Sequence, residues 1–315
     1  MSIKALFTYD YGEEKMNSIK ELGYDITIIN ERDIEYCDEI KETEVLVCYN
    51  PFETLDISKM DKLKWIQLSS IGIDQLPVEI AITEDIVVTN NRGGYSIPIG
   101  EWIVLKTLEM LKNSKRLYMQ QINKKWEINT SILELYGKTI GFVGTGTIAR
   151  EAAKRFNGFE VNILGVNTKG RYTEYFDKCF SIEELDKMLS LSDIVVITIP
   201  YTETTHKLID SKRFSSMKNG VYFINVARGN VVDEFELIKN LKNKKIEAAA
   251  LDVFEYEPLP KESPLWNLEN VIITPHNSWV SEMRNDRRFE AIYRNMERYS
   301  KGMQLYNIVD LKRGY

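Results

Sequence analysis

The chain has 315 residues, of which 43% are hydrophobic and 28% charged, and a formal net charge of -6. That length is too great for one ordinary core and suits two domains, and the composition is that of a folded globular protein. The acidic balance excludes a general nucleic-acid binder, which needs a basic face to neutralise phosphates.

From the N-terminus, Met-Ser-Ile-Lys-Ala-Leu-Phe runs soon into acidic residues, so no signal peptide is expected, and no apolar run is long enough to span a bilayer. Residues 3–9 read as a strand, and 13–22 as a helix with Met16, Ile19 and Leu22 at helical spacing, ended by Gly23. Further strands are expected at 25–29, 45–49, 65–69 and 86–89. Strands alternating with helices predict a parallel sheet, so the first hundred residues form a small α/β unit. Cys37, Cys48 and Cys179 are widely spaced and odd in number. They indicate neither a disulfide framework nor a metal site, and they fit a reducing, cytoplasmic setting. Cys48 reads as ordinary core.

Residues 99–111 follow as a helix with Trp102, Ile103, Val104, Leu105, Leu108, Met110 and Leu111 around much of its circumference. Such a helix must be buried on several sides, between domains or between subunits. A second, more regular alternation begins at Thr139. Its strands are expected at 139–143, 161–166, 193–199, 221–226, 246–251 and 271–274, with helices at 147–156, 181–189, 211–217 and 233–241. This is the pattern of a doubly wound, Rossmann-type nucleotide-binding domain. A last helix, 282–299, is rich in Arg and Glu and could return to the first domain.

Gly144-Thr145-Gly146-Thr147-Ile148-Ala149 places G-x-G-x-x-A between a strand and a helix. The first Gly permits the tight turn, the second lets the backbone approach a pyrophosphate, and Ala149 allows close helix–strand packing. Free N–H groups and the positive end of the helix dipole would hold the anion. At the end of the next strand, where NAD-selective sites usually carry an acid, stand Asn167, Thr168, Lys169, Gly170 and Arg171. A carboxylate opposes a 2′-phosphate by roughly 1 to 4 kcal/mol per charge pair at contact. Its replacement by Asn167, with Lys169 and Arg171 following, favours NADP(H) over NAD(H). The plainer alternative is that both cations are solvated loop charges.

The chain has two histidines, His206 and His276. His206 lies in a polar stretch and reads as exposed. His276 follows the last expected strand, at the carboxyl edge where open α/β sheets carry their ligands. Arg228 and Glu257 follow the two preceding strands, so an Arg, a carboxylate and a His are expected along one rim.

These features resemble the D-isomer-specific 2-hydroxyacid dehydrogenases, of the glyoxylate/hydroxypyruvate reductase kind. The resemblance covers essentially the whole chain. It rests on Gly144–Ala149, Ser192-Asp-Ile-Val-Val-Ile-Thr-Ile-Pro200, Met217-Lys-Asn-Gly220, Ile224-Asn-Val-Ala-Arg-Gly229, Leu251-Asp-Val-Phe-Glu-Tyr-Glu-Pro258 and Thr274-Pro-His276. It implies that Arg228 binds the substrate, that Glu257 holds the histidine, and that His276 is the acid/base. It further implies a carboxylate-binding loop at Ser70, Ile71 and Gly72. Asp252 would contact the nicotinamide carboxamide, and Pro200, Thr205, Val226 and Ala227 would make further cofactor contacts. The implied chemistry is hydride transfer between NAD(P)H and a small 2-keto or 2-hydroxy acid of the D-series.

The implied fold is α/β, with a Rossmann-type domain at 98–283 and a discontinuous flavodoxin-like substrate domain at 1–97 and 284–315, a cleft between them, and a homodimer near the helix from Ile99. Arg92 and Tyr95, where the chain crosses between domains, are candidates for the cleft wall. Where the family usually has small residues after Pro-His, this chain has Asn277-Ser278-Trp279, so Trp279 becomes a candidate substrate contact. No metal is expected. The competing reading is a dinucleotide-sensing protein of corepressor type on the same fold.

Overall fold

The computed structural model describes residues 2–315. The chain divides into two compact units, one taking the residues up to Tyr95 together with Ser281–Tyr315, the other Ser96–Val280.

In the first unit β1 (Ile3–Phe7), β2 (Tyr24–Ile28), β3 (Val45–Cys48), β4 (Trp65–Leu68) and β5 (Val87–Thr89) form a parallel sheet of order β2-β1-β3-β4-β5. This is the flavodoxin-like order, whose direction reverses between β1 and β3. The inner strands β3 and β4 are buried throughout, which is why they read as unbroken apolar runs. Helix α1 (Glu13–Glu21) buries Met16 and Ile19, carries Glu13 and Glu14 in its first turn and Lys20 in its last, and stops at Gly23, whose φ is +95°. The short α2 (Val78–Thr83) buries Ala81 alone and shows no periodicity in the sequence.

The unit is completed by α9 (Arg284–Ser300), whose Phe289, Ile292 and Met296 join the core with Phe7, Val47 and Trp65. Buried Asn295 on that helix donates to Gln67 Oε1 at 2.9 Å, and the same oxygen accepts from Thr89 Oγ1 at 2.8 Å. Cys48 is buried as expected, and burial pushes its thiol pKa up.

In the second unit α3 (Ser96–Leu111) lies against α5 (Thr147–Phe156). Gly100 permits the approach, since a Cβ there would stand 3.1 Å from the backbone of Glu151 and Ala152. Burial is one-sided, because Ile99, Ile103 and Met110 are covered while Leu105 is half exposed. Next comes α4 (Ser114–Ile122), with no buried residue.

The sheet has order β12-β11-β10-β9-β6-β7-β8, all parallel: β6 (Thr139–Val143), β7 (Asn162–Val166), β8 (Lys178–Phe180), β9 (Ile194–Ile197), β10 (Val221–Asn225), β11 (Ile246–Leu251) and β12 (Val271–Ile273). Helices α6 (Leu185–Leu191), α7 (Ser211–Ser216) and α8 (Glu234–Lys242) connect them. This is the expected doubly wound sheet with one strand more than the sequence suggested, the three-residue edge strand β8. Its direction reverses between β6 and β9, so the carboxyl edge at that point is where such a sheet takes a ligand.

Candidate active site

The turn from β6 into α5 is built for close approach. Gly144 has φ +100°, and a Cβ on it would stand 2.8 Å from Ile199 and 3.0 Å from Thr198 Oγ1. Around Gly146 the space is open, and a Cβ there would meet nothing within 4 Å. Gly146 is also the N-cap of α5 and offers no side chain to the first-turn N–H groups, at Thr147 and Ile148. An uncapped helix start behind an open glycine fits a pyrophosphate.

At the end of β7 the side chain of Asn167 shapes its own loop. Its Oδ1 accepts from Arg171 N at 2.9 Å and Lys169 N at 3.3 Å, and its Nδ2 donates to Arg171 O at 2.8 Å and Thr145 Oγ1 at 3.2 Å. Thr168, Lys169 and Arg171 are exposed on that loop. After β9, Thr205 Oγ1 donates to Pro200 O at 2.8 Å and accepts from Thr202 N at 2.7 Å, folding the exposed Pro200 segment over. His206 is exposed, as read from its polar surroundings.

Three loops after β10, β11 and β12 carry the remaining candidates. Asn225, 2% exposed, accepts from Ala227 N at 3.0 Å and donates to Arg228 O at 3.1 Å, fixing Val226, Ala227 and Arg228. Arg228 Nη1 donates to Ala227 O at 2.8 Å. Gly229 lies against the neighbouring loop so closely that a Cβ would fall 1.8 Å from Phe254 C and 2.2 Å from Glu255 N. In that neighbouring loop, Glu257 Oε1 accepts from Phe254 N at 3.0 Å, and Oε2 sits 2.7 Å from His276 Nδ1.

Burial by itself would raise the pKa of Glu257. The hydrogen bond with His276, the Phe254 N–H, and the charges of His276 and Arg228 outweigh it and hold the carboxyl below the ordinary Glu range. Glu257 is therefore ionised near neutrality, and Nδ1 of His276 carries the proton that it accepts.

His276 has φ +49°, in the left-handed region. Its backbone is held there by bonds from its N–H to Asp252 O at 2.8 Å and Thr274 O at 3.0 Å, and by Trp279 Nε1 donating to His276 O at 2.8 Å. Asp252 is 0% exposed, and its carboxylate accepts from Thr274 Oγ1 (2.6 Å), Asn277 N (3.0 Å) and Ser278 N (3.0 Å). The loop staple formed by Asp252 and the clamp formed by Asn225 escaped the sequence reading, as did the close approach at Gly229. Each joins a loop to a partner that no periodic signature announces.

In the first unit, Ser70 Oγ donates to Gly72 O at 2.7 Å and accepts from Gln75 Nε2 at 2.8 Å, while Asn90 Nδ2 donates to Ile71 O at 2.8 Å. The carbonyls of this loop are thus engaged. Among the described residues, no acceptor takes the N–H groups of Ile71 and Gly72. Tyr95 is 6% exposed and donates to Ser69 O at 2.7 Å; Arg92 is exposed.

The family model described as D-isomer specific 2-hydroxyacid dehydrogenase, NAD binding domain, matches residues 104–278. The chain belongs to this family, and its second unit is a nicotinamide dinucleotide-binding fold. It is similar to a glyoxylate reductase of Thermofilum pendens, 36% identical over 279 residues that cover 85% of this chain and 81% of the relative. It is also similar to a D-3-phosphoglycerate dehydrogenase of Methanocaldococcus jannaschii, 30% identical over 98% of this chain and spanning 60% of that relative's length. Among solved structures, a D-isomer specific 2-hydroxyacid dehydrogenase of Xanthobacter autotrophicus in complex with NADPH and MES superposes with a TM-score of 0.85 at 27% identity, covering 100% of both chains. A probable 2-hydroxyacid dehydrogenase of Rhizobium etli in complex with NADP, HEPES and tartaric acid gives 0.84 at 27% identity, again covering 100% of both. No helix among the described residues is long and apolar enough to cross a membrane.

Proposed function

We propose that this protein reduces a small 2-keto acid to the D-2-hydroxy acid at the expense of NADPH. The observation that carries the proposal is the pair His276 Nδ1–Glu257 Oε2 at 2.7 Å beside Arg228, in the unit that bears the open glycine turn. The dinucleotide, when bound, supplies the hydride that reaches the keto carbon. Negative charge then grows on the keto oxygen. Protonated His276 gives that oxygen its Nε2 proton, while ionised Glu257 keeps the Nδ1 proton in place and stabilises the imidazolium until transfer. Arg228 offers a planar, permanently charged fork to the carboxylate and carbonyl of the keto acid, and its charge opposes the developing oxyanion. The N–H groups of Ser70, Ile71 and Gly72 suit a carboxylate, and Trp279, whose Nε1 donates to His276 O at 2.8 Å, is a candidate substrate contact.

For the cofactor, Gly144, Thr145, Gly146, Thr147 and Ile148 would cradle the pyrophosphate. Pro200, Thr205, Val226 and Ala227 would border the nicotinamide half, with wholly buried Asp252 behind them holding the loop that bears His276. Asn167, Thr168, Lys169 and Arg171 would meet the adenosine ribose. With no carboxylate on that loop and two exposed cations, a 2′-phosphate is favoured, and the similar proteins from Xanthobacter and Rhizobium were solved with NADPH and NADP. We also propose a cytoplasmic homodimer. The stretch after α3 exposes Tyr118, Met119, Ile122, Ile128 and a fully exposed Trp126, an apolar surface suited to a second copy. Sedimentation of a monomer at micromolar concentration would refute the dimer.

The test is NADPH oxidation, followed by its near-ultraviolet absorbance, with pyruvate, glyoxylate, hydroxypyruvate and larger 2-keto acids. Oxidation that depends on a keto acid supports the reaction. His276→Gln should still bind NADPH while turnover falls about 100- to 10,000-fold. Full turnover in that variant would overturn the acid/base role.

A further inference from the structure

We propose that Arg288 floors an anion subsite in the first unit, which selects 2-keto acids bearing a second carboxylate. This inference rests on the keto-acid reading above and narrows its substrate class.

A cavity of about 180 Å³ opens where Thr8 and Tyr9 follow β1, Cys48 and Tyr49 close β3 and Ser69 follows β4. It therefore sits at the carboxyl edge beside the β1/β3 reversal, the place where an open α/β sheet accepts a ligand. Its size is below the roughly 300 Å³ of a pocket for a drug-sized molecule and suits one end of a small acid.

Arg288, half-buried on α9, reaches this cavity. Its Nε donates to Tyr95 Oη at 2.9 Å, its guanidinium carbon lies 5.8 Å from the centre of that ring, and Tyr11 hydrogen-bonds it from another side. Both partners are phenols. Burial keeps the pKa of Tyr11 above the ordinary tyrosine value, so Tyr11 remains neutral and leaves the arginine charge uncompensated. Among the described residues, no carboxylate pairs with Arg288. A guanidinium withdrawn from water whose partners are neutral phenols is costly, and a ligand carboxylate would neutralise its charge.

Glu31 also lines the cavity, but its Oε2 is committed to Thr8 Oγ1 at 2.8 Å and Tyr49 N at 2.7 Å. With exposed Arg32 counted, the lining carries two cations and one anion. That balance matches a single negative charge better than a phosphate dianion. The subsite is joined to the carboxylate loop within the same unit: Tyr95 Oη, which accepts from Arg288, donates to Ser69 O, and Ser69 leads directly into Ser70–Gly72. A keto acid whose first carboxylate rests on the N–H groups of that loop can extend its second toward Arg288.

The experiment compares kcat and KM for oxaloacetate, 2-oxoglutarate, 3-phosphohydroxypyruvate and pyruvate in the wild type, Arg288→Met and Arg288→Lys. The wild type should favour a dicarboxylate over pyruvate in kcat/KM. In Arg288→Met that ratio should fall about 100-fold through KM, with Arg288→Lys intermediate. A ratio unchanged in both variants would overturn the proposal, and an Arg288-dependent preference for the phosphorylated acid would replace the carboxylate by a phosphate. Calorimetric titration with succinate separates this idea from the proposed reaction, because it needs no turnover. Binding to the wild type that is lost in Arg288→Met supports the subsite even if no keto acid is reduced. Equal binding, or none, overturns it even if pyruvate is.

Discussion

Gly229→Ala puts the architecture of the candidate site under the most direct strain. The added methyl would lie 1.8 Å from Phe254 C, 2.0 Å from Phe254 O and 2.2 Å from Glu255 N, all of them backbone atoms that no rotamer change can move. Going from 1.8 Å to the 3.4 Å of an ordinary contact asks for about 1.6 Å of separation between the loop bearing Arg228 and the loop bearing Glu257. Overpacking costs about 1–3 kcal/mol where neighbours can adjust, and a clash of backbone with backbone belongs at the upper end. For a unit of this size, a loss of about 3 kcal/mol lowers Tm by about 6–12 °C. A displacement of only about 1 Å at a catalytic group can cost about 100-fold in rate. We therefore expect a folded variant with a lowered Tm and kcat/KM reduced at least about 100-fold, read by circular-dichroism melting and NADPH oxidation on the same sample. A variant matching the wild type in both Tm and kcat/KM would show that the approach of the two loops does not position Arg228 and Glu257.

Gly146→Ala is the complementary case. The methyl meets nothing within 4 Å, so Tm should stay within a few degrees while NADPH affinity drops about tenfold or more if the methyl takes the space proposed for the pyrophosphate; unchanged affinity in a fluorescence titration would refute that placement. Lys169→Ala with Arg171→Ala should weaken NADPH binding far more than NADH binding, and equal losses would remove the case for a 2′-phosphate site. For Glu257 the sign follows from its lowered pKa. Its ionised form stabilises the folded state fully above the ordinary Glu value of about 4.3, and that contribution disappears as pH falls through the lowered folded value. The gap in urea stability between wild type and Glu257→Gln should accordingly hold from about pH 7 to about pH 5 and shrink only as pH falls to about 4 and below, whereas a gap that stays constant through that fall would contradict the assignment.

How much of this was legible depended on burial. Ile194–Ile197 is buried on both faces and reads as an apolar run, as do Val221–Asn225 and Val45–Cys48. The edge strand Lys178–Phe180 has only Phe180 fully buried, and α4 buries nothing, so neither leaves a pattern to find. The final helix was read from its Arg- and Glu-rich run, and the structure adds the buried face that Phe289, Ile292 and Met296 form at helical spacing. At the candidate site, the strand order brings the loops after β10, β11 and β12 side by side, and that much follows from counting strands. The pairing of Asp252 with Asn277 and Ser278 could not be foreseen, since a side chain bonding a distant loop backbone depends on the final path of the chain. The same holds for Arg288, which reads as one more charge on a charged helix until Tyr11 and Tyr95 enclose it.

Two carboxylates five positions apart divide the work around His276. Asp252, wholly buried, is engaged with the loop from Thr274 to Ser278, and its backbone carbonyl also takes the His276 N–H. These bonds, with the Trp279 indole on His276 O, hold a non-glycine residue in a left-handed conformation that costs about 1 kcal/mol or more when unsupported. The place of the imidazole is therefore set through its backbone before Glu257 acts. Glu257, half-exposed and held ionised, touches the ring itself and governs which nitrogen carries the proton. Position and protonation are thus controlled by separate groups. A substitution at Glu257 should change the proton chemistry of a correctly placed ring, whereas one at Asp252 should displace a ring whose chemistry is intact.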